Sequence, residues 1–426
     1  NPVVPQCVID QQQAQAALGA GRIDAIDPDL DLPTTTRFNI GFSHRTDFGG
    51  AARGFFDDWQ IGVDYIHSDA TNALDFIDLT LAQIGTAADG RPTFNAVDPT
   101  LPGCDAVFQG VRRGFIGPAD QLAQGGACDA GGDDQDILLT NVAGKSGNSD
   151  VVSMQAQKRW DYDNRFGYGA LNLNIGYAYT DVTDVNPLTS ATATSNFEEV
   201  ATTNFNLNTV ARANSFSRDT LTFSARLEQE FFRDLTSAIT LRYRGRSGRN
   251  FSFVFDDGGN DFGDTDNEDR NLLYVPEAND PRVVFRSAAD EAAFNQFIQE
   301  QGLEGDRGTT LERNSQRNPW FNDLDMRLEQ EFPVFVNNWL PDAKGLFFVD
   351  FDNVLNLIDS DRNVFESYRR GDVNGTAPVI EVEVQSDGTL EYFDFDERFL
   401  EANGGGLVTN TAGSLWQIQF GARFEF

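Results

Sequence analysis

The chain has 426 residues and carries 66 acidic against 32 basic side chains, a net charge of −34, which repels phosphate backbones and argues against nucleic-acid partners. Hydrophobic residues make up 40% and the mean hydropathy is −0.39, and no run approaches the ~20 apolar residues that a spanning helix needs. A membrane β-barrel escapes this exclusion, because only every second residue of its strands must be apolar.

Strict alternation begins at Thr36, Phe38, Ile40 and Phe42, opposite Arg37, Asn39, Gly41 and Ser43. Trp59, Ile61, Val63 and Tyr65 repeat it against Gln60, Gly62 and Asp64, and the pattern runs on less cleanly through Leu74 to Leu79. Val152, Met154, Ala156 and Trp160 oppose Ser153, Gln155 and Gln157; the clearest internal case sets Leu171, Leu173, Ile175, Tyr177 and Tyr179 against Asn172, Asn174, Gly176, Ala178 and Thr180. Then come Leu221, Phe223, Ala225, Leu227 and Phe231, followed by Ile239, Leu241 and Tyr243. Leu324, Met326, Leu328 and Phe332 precede Phe347, Val349 and Phe351.

The last segment, Ser414 to Phe426, is the most regular. Trp416, Ile418, Phe420, Ala422, Phe424 and Phe426 share one face, and Gln417, Gln419, Gly421, Arg423 and Glu425 the other. A period of two over this length is a strand. Its polar face is too hydrophilic for a core, and lipid outside with a watery lumen inside fits both faces. About nine segments follow the pattern, each near the ~10 residues of a tilted spanning strand, whereas soluble sandwich strands average about five or six. The aromatic fraction of 12% and the 39 glycines suit strands and turns with aromatic girdles.

The connections alternate in length. Short links lie at Asp161–Gly167, Phe231–Thr236 and Pro333–Gly345, with a moderate one at Asp47–Asp58; long polar stretches fall at about 82–149, 182–217, 247–320 and 359–413. Short periplasmic turns and long extracellular loops alternate in this way in outer-membrane barrels. The expected fold class is therefore all-β, a transmembrane antiparallel β-barrel with a periplasmic C-terminus. An odd set of nine strands does not close an ordinary barrel by itself.

The stretch Asn318-Pro-Trp-Phe-Asn-Asp-Leu-Asp-Met-Arg-Leu-Glu-Gln-Glu-Phe-Pro333 resembles the third-last strand of Oar-like TonB-dependent receptors. Phe351-Asp-Asn-Val-Leu-Asn-Leu357 resembles the family's Asn-x-x-Asn-Leu element. Asn271-Leu-Leu-Tyr-Val-Pro276, after a strand ending Ser247-Gly-Arg249, is similar to its Tyr-Val-Pro loop, and Trp416-Gln-Ile-Gln-Phe-Gly421 fits its end. The resemblance covers the whole chain as the C-terminal part of a ~22-stranded barrel with a plugged lumen. It implies upstream strands, a plug and a TonB-contacting segment before Asn1. It also implies an outer-membrane location, an uptake or export function energised by TonB–ExbB–ExbD, and no enzymatic activity. The terminal face of Trp416, Ile418, Phe420, Phe424 and Phe426 resembles the signal read by the barrel-assembly machinery. A passive porin or adhesin barrel is the alternative reading, and an extracellular β-sandwich enzyme acting on polysaccharide a third.

Within this frame the lumen wall is expected to carry opposed charges. Arg242, Arg244 and Arg246 share a strand, with Arg226, Glu228 and Glu230 on one side and Asp323, Asp325, Arg327 and Glu329 on the other, in cross-strand reach. Cys104 and Cys128 are spaced to close a loop of ~25 residues, stabilising it by about 3 kcal/mol, and a disulfide fits an oxidising envelope. Cys7 is left free or paired outside this chain. In the acidic run Asp256–Asp269, Asp264, Asp266 and Glu268 offer i, i+2, i+4 oxygens to Ca²⁺, without the glycine an EF-hand requires; a solvated acidic loop is the plainer reading. Gly144-Lys-Ser146 lacks the context of a phosphate loop, and no Ser/His/Asp set is credible with two histidines, His44 and His67, both on or near the expected barrel strands. Residues 288–301 read as a helix with Phe294, Phe297 and Ile298 on one face, packed on its own loop.

Overall fold

The computed structural model describes residues 23–425 apart from 49–54, 112, 132–134, 143–144, 233–234, 257–260, 264–268, 335–343, 361–362 and 369–374. Nine long strands form one antiparallel wall in sequence order. They are β1 (Thr34–Arg45), β2 (Gln60–Thr71), β3 (Lys145–Asn164), β4 (Gly167–Asp184), β5 (Asp219–Phe232), β6 (Leu235–Arg246), β7 (Phe321–Pro333), β8 (Lys344–Asp352) and β9 (Gln417–Glu425). These are the nine segments marked by alternation. The wall is open: β1 and β9 are its two edges, so no closed barrel forms among the described residues.

Register carries the alternation across the whole wall. Phe42 faces Val63, Val63 faces Met154 and Met154 faces Tyr177; further on, Ile175 faces Phe223, Phe223 faces Tyr243, and Val349 faces Phe420. The result is one continuous apolar face whose side chains stay exposed or half-buried, with Phe420 exposed at 68%. From Leu171 to Tyr179 the band runs about 26 Å along the strand at the usual rise. Aromatic residues rim it at both ends. At the turn end Trp59 and Trp160 meet at 5.6 Å, and Phe332 and Phe424 at 6.0 Å. At the opposite end the hydroxyls of Tyr65, Tyr177 and Tyr243 donate to Asp150, Asp219 and Asn322, each at 2.7 Å. Glycine serves close approach here: a Cβ on Gly421 would lie 2.1 Å from the Phe348 ring, and one on Gly345 2.3 Å from Phe332, so each ring covers the facing backbone.

The turns at one end are tight, with Asn164 facing Gly167 across two residues. At the other end the structure departs from expectation. The four long connections are not independent loops; they fold together into a head around one large shared core. Phe76, Phe94 and Ile137 from the first connection, Phe197 and Phe205 from the second, Phe253 and Phe297 from the third, and Val382 and Tyr392 from the fourth share one buried cluster. A mixed five-stranded sheet runs through it, in the order Val283–Phe285, Leu390–Phe393, Thr376–Val384, Asn250–Phe255, Gln316–Arg317. Every residue of Asn250–Phe255 is buried, as expected for a strand covered on both sides.

Two expectations are corrected here. The wall strand β2 does not run on through Leu74 to Leu79. Asn72 takes a left-handed φ of 56°, and Leu74–Asp78 turns away to pair with Asp136–Asn141 in the head. Helix α1 (Ala288–Glu300) forms where anticipated, capped by Ser287, whose Oγ accepts from Asp290 N at 3.1 Å. Its face of Phe294, Phe297 and Ile298, however, packs on Tyr392, Phe395 and Phe399 of the fourth connection as well as on Phe253 and Phe285 of its own.

Candidate functional site

The polar face of the wall carries its charged side chains. Its residues alternate with the apolar ones, and the register sets acids beside bases. Arg159 holds Asp161 at 2.7 Å and lies 3.8 Å from Glu228; Glu228 also holds Arg226 at 2.6 Å. Arg226 continues to Glu329, Glu329 binds Arg327 at 2.9 Å, and Arg327 approaches Asp350 at 3.4 Å. This ladder of alternating charge runs from β3 to β8. Each pair is partly exposed and worth little alone, about 0–1 kcal/mol. Together they fix long side chains against the wall and leave a hydrated surface near neutrality.

The register sets the ten charged residues expected on this face side by side along β5, β6 and β7. Glu228 lies within the ladder, and Arg244 meets Asp323 at 3.3 Å. Arg242 stands opposite Asp325 in register, while Asp325 accepts from Asn353 N at 3.0 Å. Both residues line a cavity of ≈ 170 Å³ with Asp350 and Asp352. Arg246, at the end of β6, stands apart: its guanidinium lies 5.7 Å from the rings of both Phe321 and Phe365. Residue spacing alone grouped Arg246 with its two strand neighbours; its aromatic surroundings depend on the head.

The other expected residues are scattered. Cys104 and Cys128 are bonded in the head, Cα atoms 4.7 Å apart, beside Leu122 and Val97. Ile418, Phe420 and Phe424 point outward from β9, Trp416 precedes it, and Phe426 lies outside the described residues. Asp264, Asp266 and Glu268 also lie outside them, and among the described residues no three His, Cys, Asp or Glu side chains are grouped to hold a metal. His67 contacts Asp150 at 2.8 Å and Asp69 at 3.2 Å on the rim of the apolar face.

Charges buried in the head were not legible beforehand. Arg91 binds Asp89 at 2.6 Å and stacks on Phe262 at 4.4 Å; Arg270, 1% exposed, lies 4.3 Å from Phe197. Arg313 ties head to wall through Asp184 at 2.8 Å. A titrating group stands near the head's acidic rim. Burial, then the charges of Glu383 and Glu381, push Asp261 up to about 7. The folded head therefore keeps a proton that the unfolded chain releases near pH ~3.9. Stability from this proton is full below that pH and is lost as pH rises through 7. Asp261→Asn should raise head stability at pH 8 by roughly 1–2 kcal/mol, after allowance for its part exposure, and flatten the decline between pH 5 and 8 in thermal melts. Equal slopes in both proteins would remove Asp261 as the cause.

Comparison of the chain with family models, curated proteins and solved structures finds no match.

Proposed function

We propose that the nine strands are part of the barrel wall of a TonB-dependent outer-membrane receptor, with the head on the extracellular side and the short turns in the periplasm. One observation carries the reading: a nine-strand wall with an exposed apolar face rimmed by aromatics, and an opposite face covered by paired charges. Water on both sides would leave the apolar face without a cover, and lipid on both would strand the ion ladder. Lipid outside and a watery lumen inside satisfy each. Both edges lack a partner strand among the described residues, and β1 is exposed along its length. Edges of this size are aggregation-prone unless further strands cover them, which fits a larger barrel. Loops that fold into one head provide a surface for capturing a ligand, which plug movement driven by TonB–ExbB–ExbD then releases inward.

The full protein should sediment with outer membranes, resist carbonate washing, and migrate differently in gels before and after boiling. Recovery in the aqueous phase would exclude the barrel and favour a soluble β-sandwich. Co-purification with the periplasmic domain of TonB separates a receptor from a passive pore or adhesin, which should ignore it.

A further inference from the structure

Many arginines along the polar face are paired with acids, but two at one end are not. Where β6 ends, the chain reads Arg246-Ser247-Gly248-Arg249, and both arginines line a cavity of ≈ 210 Å³ between wall and head. Among the described residues neither arginine forms an ion pair, although the chain has twice as many acids as bases.

The cavity is built rather than incidental. Phe321 and Phe365 form an apolar corner, their rings edge to face at 5.3 Å, and Arg246 lies against both. Asn318 clamps the Arg249 carbonyl, donating from its backbone N and its Nδ2 at 3.0 Å each. The chain passes so close that a Cβ on Gly248 would lie 2.4 Å from the Asn318 carbonyl oxygen; glycine is what lets the two arginines flank one space. Ser217 and Ser367 add hydroxyls to the wall of the cavity.

We propose that this cavity binds the anionic end of a ligand, a carboxylate or a phosphate monoester carried on an aromatic or aliphatic body. Two neighbouring guanidiniums repel each other, and one oxyanion relieves both. The planar fork of Arg246, backed by rings, presents parallel donors suited to either anion. The rings themselves offer surface to an apolar body. The volume admits one such group rather than a polymer. The cavity sits on the lumen side directly beneath the head, so for its purpose the inference rests on the receptor reading, as the first station of a captured ligand; its binding chemistry does not.

Titration calorimetry on the full protein in detergent tests it, with benzoate, phenyl phosphate and neutral benzyl alcohol as probes. At least one anion should bind, benzyl alcohol should not, and the stronger of the two anions names the class. Arg246→Gln should weaken binding by at least about tenfold. Arg246→Lys should fall between, since it keeps the charge without the fork. Absence of heat with both anions, equal binding of benzyl alcohol, or unchanged affinity in Arg246→Gln overturns the proposal. If Arg246→Gln disturbs the head, Ser217→Leu decides alone by narrowing the cavity: lost binding supports the site, and retained binding overturns it. The two readings fail separately. Anion binding by a protein that proves water-soluble keeps the cavity and removes the receptor; a membrane protein indifferent to both anions does the reverse.

Discussion

Phe297→Ala is expected to destabilise the head by about 3–5 kcal/mol while leaving the wall folded. The side chain is fully buried, and its ring meets Phe253 at 5.1 Å, Phe294 and Phe395 at 5.8 Å, and Phe399 at 5.9 Å. Removing it opens a cavity at the junction of the third and fourth connections. A cost of this size should lower the melting of a head of this length by roughly 10 °C. The wall draws its stability from a hydrogen-bonded ladder that the substitution does not touch. Near-UV dichroism should therefore show an early transition for the head, with the heat-modifiable mobility of the wall unchanged. Val284→Ala, at a residue 54% exposed in the same connection, should stay within about 0.5 kcal/mol. Loss of both units in one transition would show that the head is not a separate cooperative unit; a shift as small as that of Val284→Ala would discount the packing.

The parts of the fold legible in the sequence are the long strands of the wall. Each wall strand has both faces open to an environment, so every residue is selected by its side and the period of two persists for many residues. Where that selection ends, the pattern misleads. Leu74 and Phe76 alternate like their predecessors, but Phe76 is buried in the head, and only the left-handed Asn72 marks the change. The head was invisible because its core is assembled from distant pieces. Phe76, Phe197, Phe253 and Tyr392 lie in four different connections, and none of the segments holding them is long enough to show a period. The site was half legible. Alternation placed Arg226, Glu228 and Glu329 on one face, yet the bond from Arg226 to Glu329 spans the intervening β6, which nearest-neighbour pairing does not anticipate. Arg246 shared its period with Arg242 and Arg244; its separation from them comes from Phe365, which only the folded head brings near.

Leu241→Arg and Asn174→Arg should have opposite consequences, and the difference reports the solvent on each side of the wall. Leu241 lies midway along β6 on the apolar face, in register with Ala225 and Met326, and is 37% exposed. If that face meets lipid, arginine there costs about 2–4 kcal/mol near the midplane. Asn174 on β4 belongs to the polar face, exposed and in register with Gln157 and Ser224, and arginine there should change stability by no more than about 0.5 kcal/mol. Urea unfolding of the protein in phosphatidylcholine vesicles measures both. In a water-soluble sandwich an exposed Leu241 tolerates arginine as readily as Asn174 does, so two equally small effects would sink the membrane reading. Backbone geometry cannot produce the asymmetry, since both residues sit in the interior of long antiparallel strands with a partner on each side. Side-chain packing contributes less to it, because neither residue is fully buried in the protein itself. What remains different between the two positions is the medium that covers them.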